Sequence, residues 1–594
     1  MDATIKSRIL KATNAKEIIK TKLIQNLWDN YGELLRIHLK GGDMASVILK
    51  HIKLPSKHSL LKDPASAFSN KRKLKSYQVE AHWYEQYNKI NLKDNCSPTA
   101  RKLARFQEKD ELFLLLEDLD ALGFGKRISM AGLQELKVGL SWLACFHAKF
   151  MHHGHQGLWN SGCYWHLETR PDELKRLNDP QLRMVAPLID QKLKNTRYLT
   201  IVHGDAKLAN FCFSNDASHV AAVDFQYVGK GCGMKDVAYF VGSCLSEDRC
   251  EKMEDIVLNF YFSELLNNIN DPNIDKQELE AQWRALYPVA WADFHRFIKG
   301  WSPGYWGKHS YSERTTQQVT ASIMQDLLAT AIQACVEAGN IVKSHWKKNF
   351  AVSSKEGTTR ATCIVTEVDL LSQEKITSLL GPTMETYNLG LLAEEGRDNN
   401  SRLEKDFFWS VDPLDGTLPF SEGQSGFAVT IALITKTGIP IIGVVYDPIT
   451  ETLFHAVHNQ GCYQNHQPLQ LIKNTPNNEP IHLFADQSLQ QDPNYPNFAK
   501  QFTIHFAGGA VMNSINVLLH PCACYFKYPK DETGGCAIWD LAAVSLLFKE
   551  AGAIMTSFNG DDLSFNRADT VYFNKEGLFA CRDASLIEKV KKLI

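Results

Sequence analysis

The sequence predicts an α+β protein made of two fused domains, and three observations predict it. At 594 residues the chain is longer than one hydrophobic core supports. The first half opens on a strand hairpin and continues into helices, whereas the second half mixes helical stretches with several apolar strands. Each half carries its own set of spaced acids, and a Gly, Pro, Ser and aromatic-rich stretch from Lys299 to Gln318 separates the two. The boundary is placed there, giving domains 1–312 and 313–594. The aromatics of that stretch, Trp301, Tyr305, Trp306 and Tyr311, argue for a packed connector over a free tether.

Composition narrows the function. With 44% hydrophobic and 22% charged residues the chain is globular, neither disordered nor a coiled coil. A formal net charge of −2 offers no global field for a nucleic acid polymer or an anionic membrane, so small-molecule partners are expected. The start, Met-Asp-Ala-Thr-Ile-Lys, lacks a signal-peptide pattern, and no uninterrupted apolar run reads as long enough to span a bilayer. The expected location is cytoplasmic, without a membrane. The 14 cysteines include one close pair, Cys522 and Cys524, and no Cys-x-x-Cys, so neither a zinc signature nor a compact disulfide framework is expected and most should be buried free thiols.

In chain order, Glu33 to Lys40 and Ala45 to Lys53 flank Gly41-Gly42-Asp43 and read as a hairpin. Its second strand places Lys50 in an apolar run, with Lys53 as a rival. Arg72 to Tyr87 reads as a helix carrying Glu80, a partner for a strand lysine. Leu112 to Leu119 is a buried strand ending in acids, placed where Glu117 and Leu119 would present backbone groups to adenine. Ala131 to Phe150 is helical, and its His147 reads as a packed core residue. Then comes His203-Gly-Asp205-Ala-Lys-Leu-Ala-Asn210, followed by an apolar strand that delivers Asp224-Phe-Gln. A carboxylate to take a hydroxyl proton, then an amide and a carboxylate to hold a metal on a nucleotide, are what phosphoryl transfer requires. Gly229 to Phe240 reads as a loop and helix in which Asp236 braces the catalytic loop, and Glu247 to Phe297 as helix with an aromatic stripe.

These motifs resemble the choline kinase and aminoglycoside phosphotransferase superfamily, including its ecdysteroid-kinase-like branch. The resemblance implies a bilobal protein-kinase-like fold, ATP as co-substrate and a small-molecule alcohol as acceptor. It implies Asp205 as base, Asn210 and Asp224 as ligands for one or two Mg²⁺, and Lys50 on the phosphates with Glu80 as its partner. It also makes Trp291, Asp293, His295 and Trp301 candidates for the acceptor pocket. Two departures stand out: no Gly-x-Gly-x-x-Gly precedes Lys50, and Asp-Phe-Gln replaces Asp-Phe-Gly.

In the second half, Val319 to Trp346 is helical and Leu391 to Glu395 is an apolar approach ending in Glu394-Glu395. The stretch Trp409-Ser-Val-Asp412-Pro-Leu-Asp415-Gly-Thr417 sets two carboxylates ahead of a Gly-Thr step, a place for hard cations and a phosphate. Three apolar strands follow between Phe427 and Val457, then Ala507-Gly-Gly509-Ala510 opening a helix, and Trp539-Asp540 opening another. Together with Thr366-x-x-Asp369, this order resembles the inositol monophosphatase superfamily, its 3'(2'),5'-bisphosphate nucleotidase-like branch included. The resemblance implies an inositol-monophosphatase-like α/β layered fold hydrolysing phosphate monoesters. Two or three Mg²⁺ would sit on Glu394, Asp412, Asp415, Asp540 and the Leu414 carbonyl, with Asp369 and Thr417 activating water. Gly416 and Thr417 would contact the phosphate and Gly509 and Ala510 the alcohol portion, and a homodimer through this half is usual. Lys355 lies in a loop longer than the pattern expects, and Thr533 stands where an inositol-specific glutamate is expected. Lys527, Lys530 and Glu532 are therefore candidates to read another leaving group. The expectation is a bifunctional kinase and phosphatase; the alternative is an active phosphatase beside a kinase-like binding module.

Overall fold

The computed structural model describes residues 2–27, 31–53, 64–108, 110–303, 310–348, 352–354, 364–469, 471 and 480–594. The chain divides into two compact units, Met1–Ala321 and Ser322–Ile594.

The first unit opens with the helix Ala3–Thr13, capped by Asp2 accepting from Thr4 N. A five-stranded antiparallel sheet follows, in the spatial order Glu17–Asn26, Gly32–Lys40, Ser46–Lys53, Glu111–Glu117 and Lys102–Glu108. Ile37, Leu39, Val47, Leu49, Phe113 and Leu115 pack this sheet against Ile5 and Ile9 of the helix. The helix Pro64–His82, extended by a π turn at Trp83–Tyr87, carries Glu80. The rest is mainly helical: Leu133–Lys149, Pro180–Lys194, Met234–Cys244, Glu247–Asn268 and Lys276–Trp301. Between them lie two-stranded ribbons pairing Thr200–Val202 with Gly229–Gly231 and Phe211–Phe213 with Val220–Ala222.

The second unit is layered. A seven-stranded sheet runs in sequence order from Gly390–Ala393 through Phe407–Asp415, Ala428–Thr435, Pro440–Asp447, Thr452–Val457 and Cys462–Gln464 to Gln467–Pro468, with only its first pair parallel. A five-stranded sheet is built from Phe502–His505, Ile481–Phe484, Ala523–Lys527, Leu578–Cys581 and Ile554–Thr556. Helices Ala510–Leu519 and Ile538–Ala551 fill the space between the sheets. Leu541, Val544, Leu547 and Phe548 are buried there, each worth about 1.5–3 kcal/mol of transfer free energy. The far face of the larger sheet takes the helices Tyr311–His345 and Glu367–Tyr387, with Gly339 close under the Tyr446 ring and Trp409 Nε1 donating to Thr383 Oγ1 at 3.0 Å.

One expectation needs correction and two are refined. The helix Tyr311–His345 is long and apolar enough to cross a membrane, although no such run was read in the sequence. Its apolar positions, Ile323, Leu327, Ala331, Cys335, Ala338 and Val342, are buried, which gives them a core role. Among the described residues ten cysteines are free and buried, as expected of most of them, and one pair, Cys96 and Cys145, forms a disulfide with Cα atoms 5.9 Å apart. Of the late-helix pocket candidates, Trp291, Asp293 and His295 are packed into the core. Trp291 Nε1 donates to Ser312 Oγ at 2.9 Å, Asp293 pairs with Arg296 at 2.7 Å, His295 bonds Thr316 at 2.8 Å, and Trp301 is exposed. Lys355, Tyr305 and Trp306 lie outside the described residues.

Candidate functional sites

In the first unit the central strand Ser46–Lys53 and the helix Pro64–His82 set Lys50 against Glu80. Lys50 Nζ lies 2.6 Å from Glu80 Oε2 and 3.7 Å from Asp224 Oδ1, with Lys50 and Glu80 both buried. Burial pulls the Lys50 ammonium down, but Glu80 and Asp224 outweigh it and hold the ammonium above its ordinary range. Lys53, the rival, is exposed at the strand's end.

Asp205 follows the ribbon strand Thr200–Val202. Its loop is held from behind by Asp236, which accepts from His203 N at 2.5 Å and Gly204 N at 2.9 Å. His147 Nε2 lies 3.2 Å from the same carboxylate and its Nδ1 2.7 Å from Tyr261 Oη, deep in the core. Asn210 Nδ2 donates to Asp205 at its carbonyl, 2.8 Å, and at Oδ2, 3.0 Å. Burial and the nearby Asp224 push the Asp205 carboxyl up to about 6, against the pull of Lys207 and Asn210. Asp205 Oδ1 and Asp224 Oδ1 are both buried without a hydrogen-bond partner, and Asp224 sits at φ 68°, a conformation costly for a non-glycine residue. Two further groups reach Asp205 that the sequence did not single out: Lys207 Nζ, 3.0 Å from Oδ2, and the Tyr239 hydroxyl. Lys207 was legible as a cation two residues on; Tyr239 carries no local signal. Glu117 ends its strand with its carboxylate on Arg101 Nε, 3.0 Å, and the Leu119 carbonyl accepts from Phe124 N at 2.9 Å.

In the second unit, the strand Phe407–Asp415 is buried throughout and is interrupted by a bulge between Asp412 and Asp415. The bulge lets both carboxylates face the neighbouring helix starts. Carboxylate oxygens of Glu394, Asp412 and Asp540 lie within 4.8 Å of one another. Asp540 Oδ2 accepts from Ala537 N at 2.8 Å, capping its helix, and Asp415 Oδ2 accepts from Val511 N at 3.0 Å. Burial first, then the neighbouring acids, pushes Asp412 and Asp415 well above the usual carboxylate range. A buried crowd of acids with one side pinned by backbone donors fits hard, oxygen-seeking cations such as Mg²⁺.

Asp369 stands beside this cluster. Its Oδ2 accepts from Thr366 N and Oγ1, at 2.8 and 2.5 Å, which closes the helix start, and its Oδ1 lies 3.1 Å from Thr417 Oγ1. Thr417 Oγ1 is also 3.1 Å from the Leu414 carbonyl. Gly416 has φ 87°, so a side chain there would be strained. At Gly509 a Cβ would sit 2.4 Å from Asp415 Oδ2, so only glycine lets the helix beginning at Ala510 approach that acid. Lys527 Nζ pairs with Asp486 at 3.0 Å, while Glu532 is exposed.

The inositol monophosphatase family model matches residues 323–593. The Nus factor SuhB of Pasteurella multocida is 30% identical over 257 residues, 40% of this chain and 87% of that protein. The chain belongs to the inositol monophosphatase family. Other relatives are the inositol-1-monophosphatase of Synechocystis sp., 28% identical over 41% of this chain and 83% of that protein, and the 3'(2'),5'-bisphosphate nucleotidase CysQ of Aggregatibacter actinomycetemcomitans, 27% identical over 42% and 90%. Family membership makes phosphate monoester hydrolysis the activity class of the second unit, with Mg²⁺ as the family's metal. The ecdysteroid kinase-like family model matches residues 161–273, the segment that holds Asp205, Asn210 and Asp224.

Proposed function

We propose that the chain is a bifunctional enzyme, joining an ATP-dependent phosphotransferase acting on a small-molecule alcohol to a Mg²⁺-dependent phosphomonoesterase. The observation that carries the phosphotransferase reading is the buried Lys50–Glu80 pair with Lys50 Nζ 3.7 Å from Asp224, a costly charge arrangement that phosphoryl transfer requires.

In the second unit, Glu394, Asp412, Asp415, Asp540 and the Leu414 carbonyl would hold Mg²⁺. The bound metal acidifies water and stabilises the charge that builds on the phosphate oxygens. Thr417, fixed by Asp369, is placed to orient the attacking water and pass its proton to the Asp369 carboxylate, whose pKa burial raises. The Gly416–Thr417 backbone faces the phosphate, and Gly509 and Ala510 border the alcohol portion. Thr533 in place of a glutamate, with Lys527 nearby, favours a nucleotide or polyol phosphate over inositol phosphate.

The first unit adopts a bilobal protein-kinase-like arrangement in this reading. Asp205 takes the acceptor hydroxyl's proton, and its carboxyl near 6 suits that role at neutral pH. Lys50 contacts the nucleotide phosphates and is held in place by Glu80, Asn210 and Asp224 offer oxygens to Mg²⁺, and the backbone between Glu117 and Leu119 borders adenine.

The test is phosphate release from sugar, inositol and nucleotide monophosphates with Mg²⁺, and ATP consumption with the matching alcohols. Wild type is compared with Asp412→Asn and Asp205→Asn. Each substitution should remove only its own activity; loss of both by either one, or neither activity on any compound, would refute the bifunctional reading.

A further inference from the structure

The helix Pro64–His82 has two functional faces. Glu80 points inward to Lys50, while Lys75, Gln78, Val79 and His82 recur at i, i+3, i+4 and i+7 on another face. That second face walls an open cleft of about 450 Å³, completed by Arg105 from the strand Lys102–Glu108 and by Gly157 and Leu158. Lys75, His82 and Arg105 line it, and no acid does among the described residues. Glu85, a carboxylate that feels the Arg105 charge, is already engaged by Lys102 at 2.5 Å.

Two of the basic groups, Lys75 and His82, are held by neighbours. Lys75 Nζ rests 4.2 Å from the centre of the Trp159 ring. His82 lies so close to Gly157 that a Cβ there would be 2.3 Å from Nε2, and Gly157 holds φ 78°. The neighbouring Gln156 carbonyl accepts from Tyr87 Oη at 2.8 Å, which ties this wall to the end of the same helix. An ammonium, a guanidinium and an imidazole around one space suit the several oxygens of a phosphate, and the volume leaves room for the group esterified to it.

We propose that this cleft binds the phosphate monoester of a small alcohol, and that its occupancy sets the position of the helix presenting Glu80 to Lys50. The regulatory half rests on the phosphotransfer reading above; the binding half does not. A phosphorylated metabolite drawn to Lys75, His82 and Arg105 pulls on the same rigid helix that carries Glu80, so the two sites are coupled through one element. In a chain with opposed chemistries, this gives the product or substrate of one half a way to act on the other.

The experiment titrates glycerol 2-phosphate and inorganic phosphate into the full chain carrying Asp540→Asn, so that hydrolysis is disabled, and follows tryptophan fluorescence, to which Trp159 contributes. Lys75→Gln and Arg105→Gln, both at exposed positions, are compared after their melting is shown unchanged. Saturable binding of the monoester is expected, weakened about tenfold by each substitution, as loss of a charge-assisted hydrogen bond implies. The affinity for Mg²⁺·ADP is expected to change when the monoester is present, and to stop changing in Lys75→Gln. The monoester titration is run in chelator, so that the metal-dependent site of the second unit does not contribute, and monoester binding that is absent, or indifferent to both substitutions, overturns the site. Binding lost in the variants with ADP affinity unaffected by monoester in the parent protein overturns the coupling. ADP that fails to bind at all defeats the phosphotransfer reading and with it the coupling, while the monoester isotherms still decide the site.

Discussion

Lys50 Nζ and Glu80 Oε2 meet at 2.6 Å with almost no access to water. Removing one partner from such a pair leaves an uncompensated buried charge. Glu80→Gln is expected to cost about 3 kcal/mol of stability and to lower ATP consumption by about 10²-fold, while phosphate release from monoesters stays intact. Denaturant titration and the two activity assays on one preparation check this. Equal loss of both activities would point to general unfolding.

Thr417 and Asp369 share a hydroxyl-to-carboxylate contact at 3.1 Å beside the acid cluster. Thr417→Val keeps the shape and removes the hydroxyl. Phosphate release should fall by about 10²-fold or more, with the Mg²⁺ concentration for half-maximal stabilisation unchanged, because the threonine side chain is not among the proposed ligands. A Mg²⁺ titration followed by melting and by phosphate release separates the two effects.

Glu394, Asp412 and Asp540, the proposed Mg²⁺ ligands, would repel one another without a bound cation. Chelation should therefore lower the melting temperature of the second unit, and saturating Mg²⁺ at about 100 times its dissociation constant should restore about 2.7 kcal/mol. Asp412→Asn should melt higher than wild type in chelator and gain less from Mg²⁺. Differential scanning calorimetry with and without the metal measures both.

Much of this was readable in the sequence where chemistry demands particular residue types at short spacing. Asp205 and Asn210, or Asp412, Asp415 and Thr417, are such cases; Asn210 bonds Asp205, Asp412 lies with Glu394 and Asp540, and Thr417 bonds the Leu414 carbonyl and Asp369, while Asp415 is held by Val511 N. Lys50 and Glu80 could be paired because a strand lysine followed by a helix glutamate resembles the combination that kinases use. Other features lie beyond local pattern. The strand Glu17–Asn26 is exposed along nearly its whole length, so it shows no alternation to read. The aromatic stripe of Lys276–Trp301 looks the same whether it faces a pocket or a core, and Trp291, Asp293 and His295 belong to the core. Tyr239 reaches Asp205 only through the fold, and the Cys96–Cys145 pairing joins residues too distant in sequence to be matched by spacing.

Gly509 shows a different kind of constraint, because its role depends on a residue far away in sequence. A Cβ there would press on Asp415 Oδ2, which Val511 N already holds at 3.0 Å. Gly509→Ala should displace that carboxylate and raise the Mg²⁺ requirement for phosphate release, at a stability cost of about 1–3 kcal/mol. Ser514→Ala, one turn further along the same helix, should leave the requirement unchanged. Mg²⁺ activation curves for the two variants distinguish loss of the acid's position from loss of the helix.

His295 supplies the pH dependence whose sign can be worked out. It is buried in the first unit, bonded to Thr316 at 2.8 Å and facing Glu313, Lys299 and, through Lys299, Asp179. Burial, helped by Lys299 and opposed by Asp179, lowers its pKa from 6.5 to about 3. The unfolded chain therefore takes up a proton on this residue below about 6.5, and the folded protein does so only near 3. Its effect on stability is nil above that window and turns against the folded state as pH falls through it. At pH 5 the penalty is about 2 kcal/mol. His295→Gln, which can still bond Thr316, should melt below wild type at pH 7.5 but lose about 2 kcal/mol less on moving to pH 5. Parallel pH profiles for the two proteins would mean that His295 is not held neutral in the core.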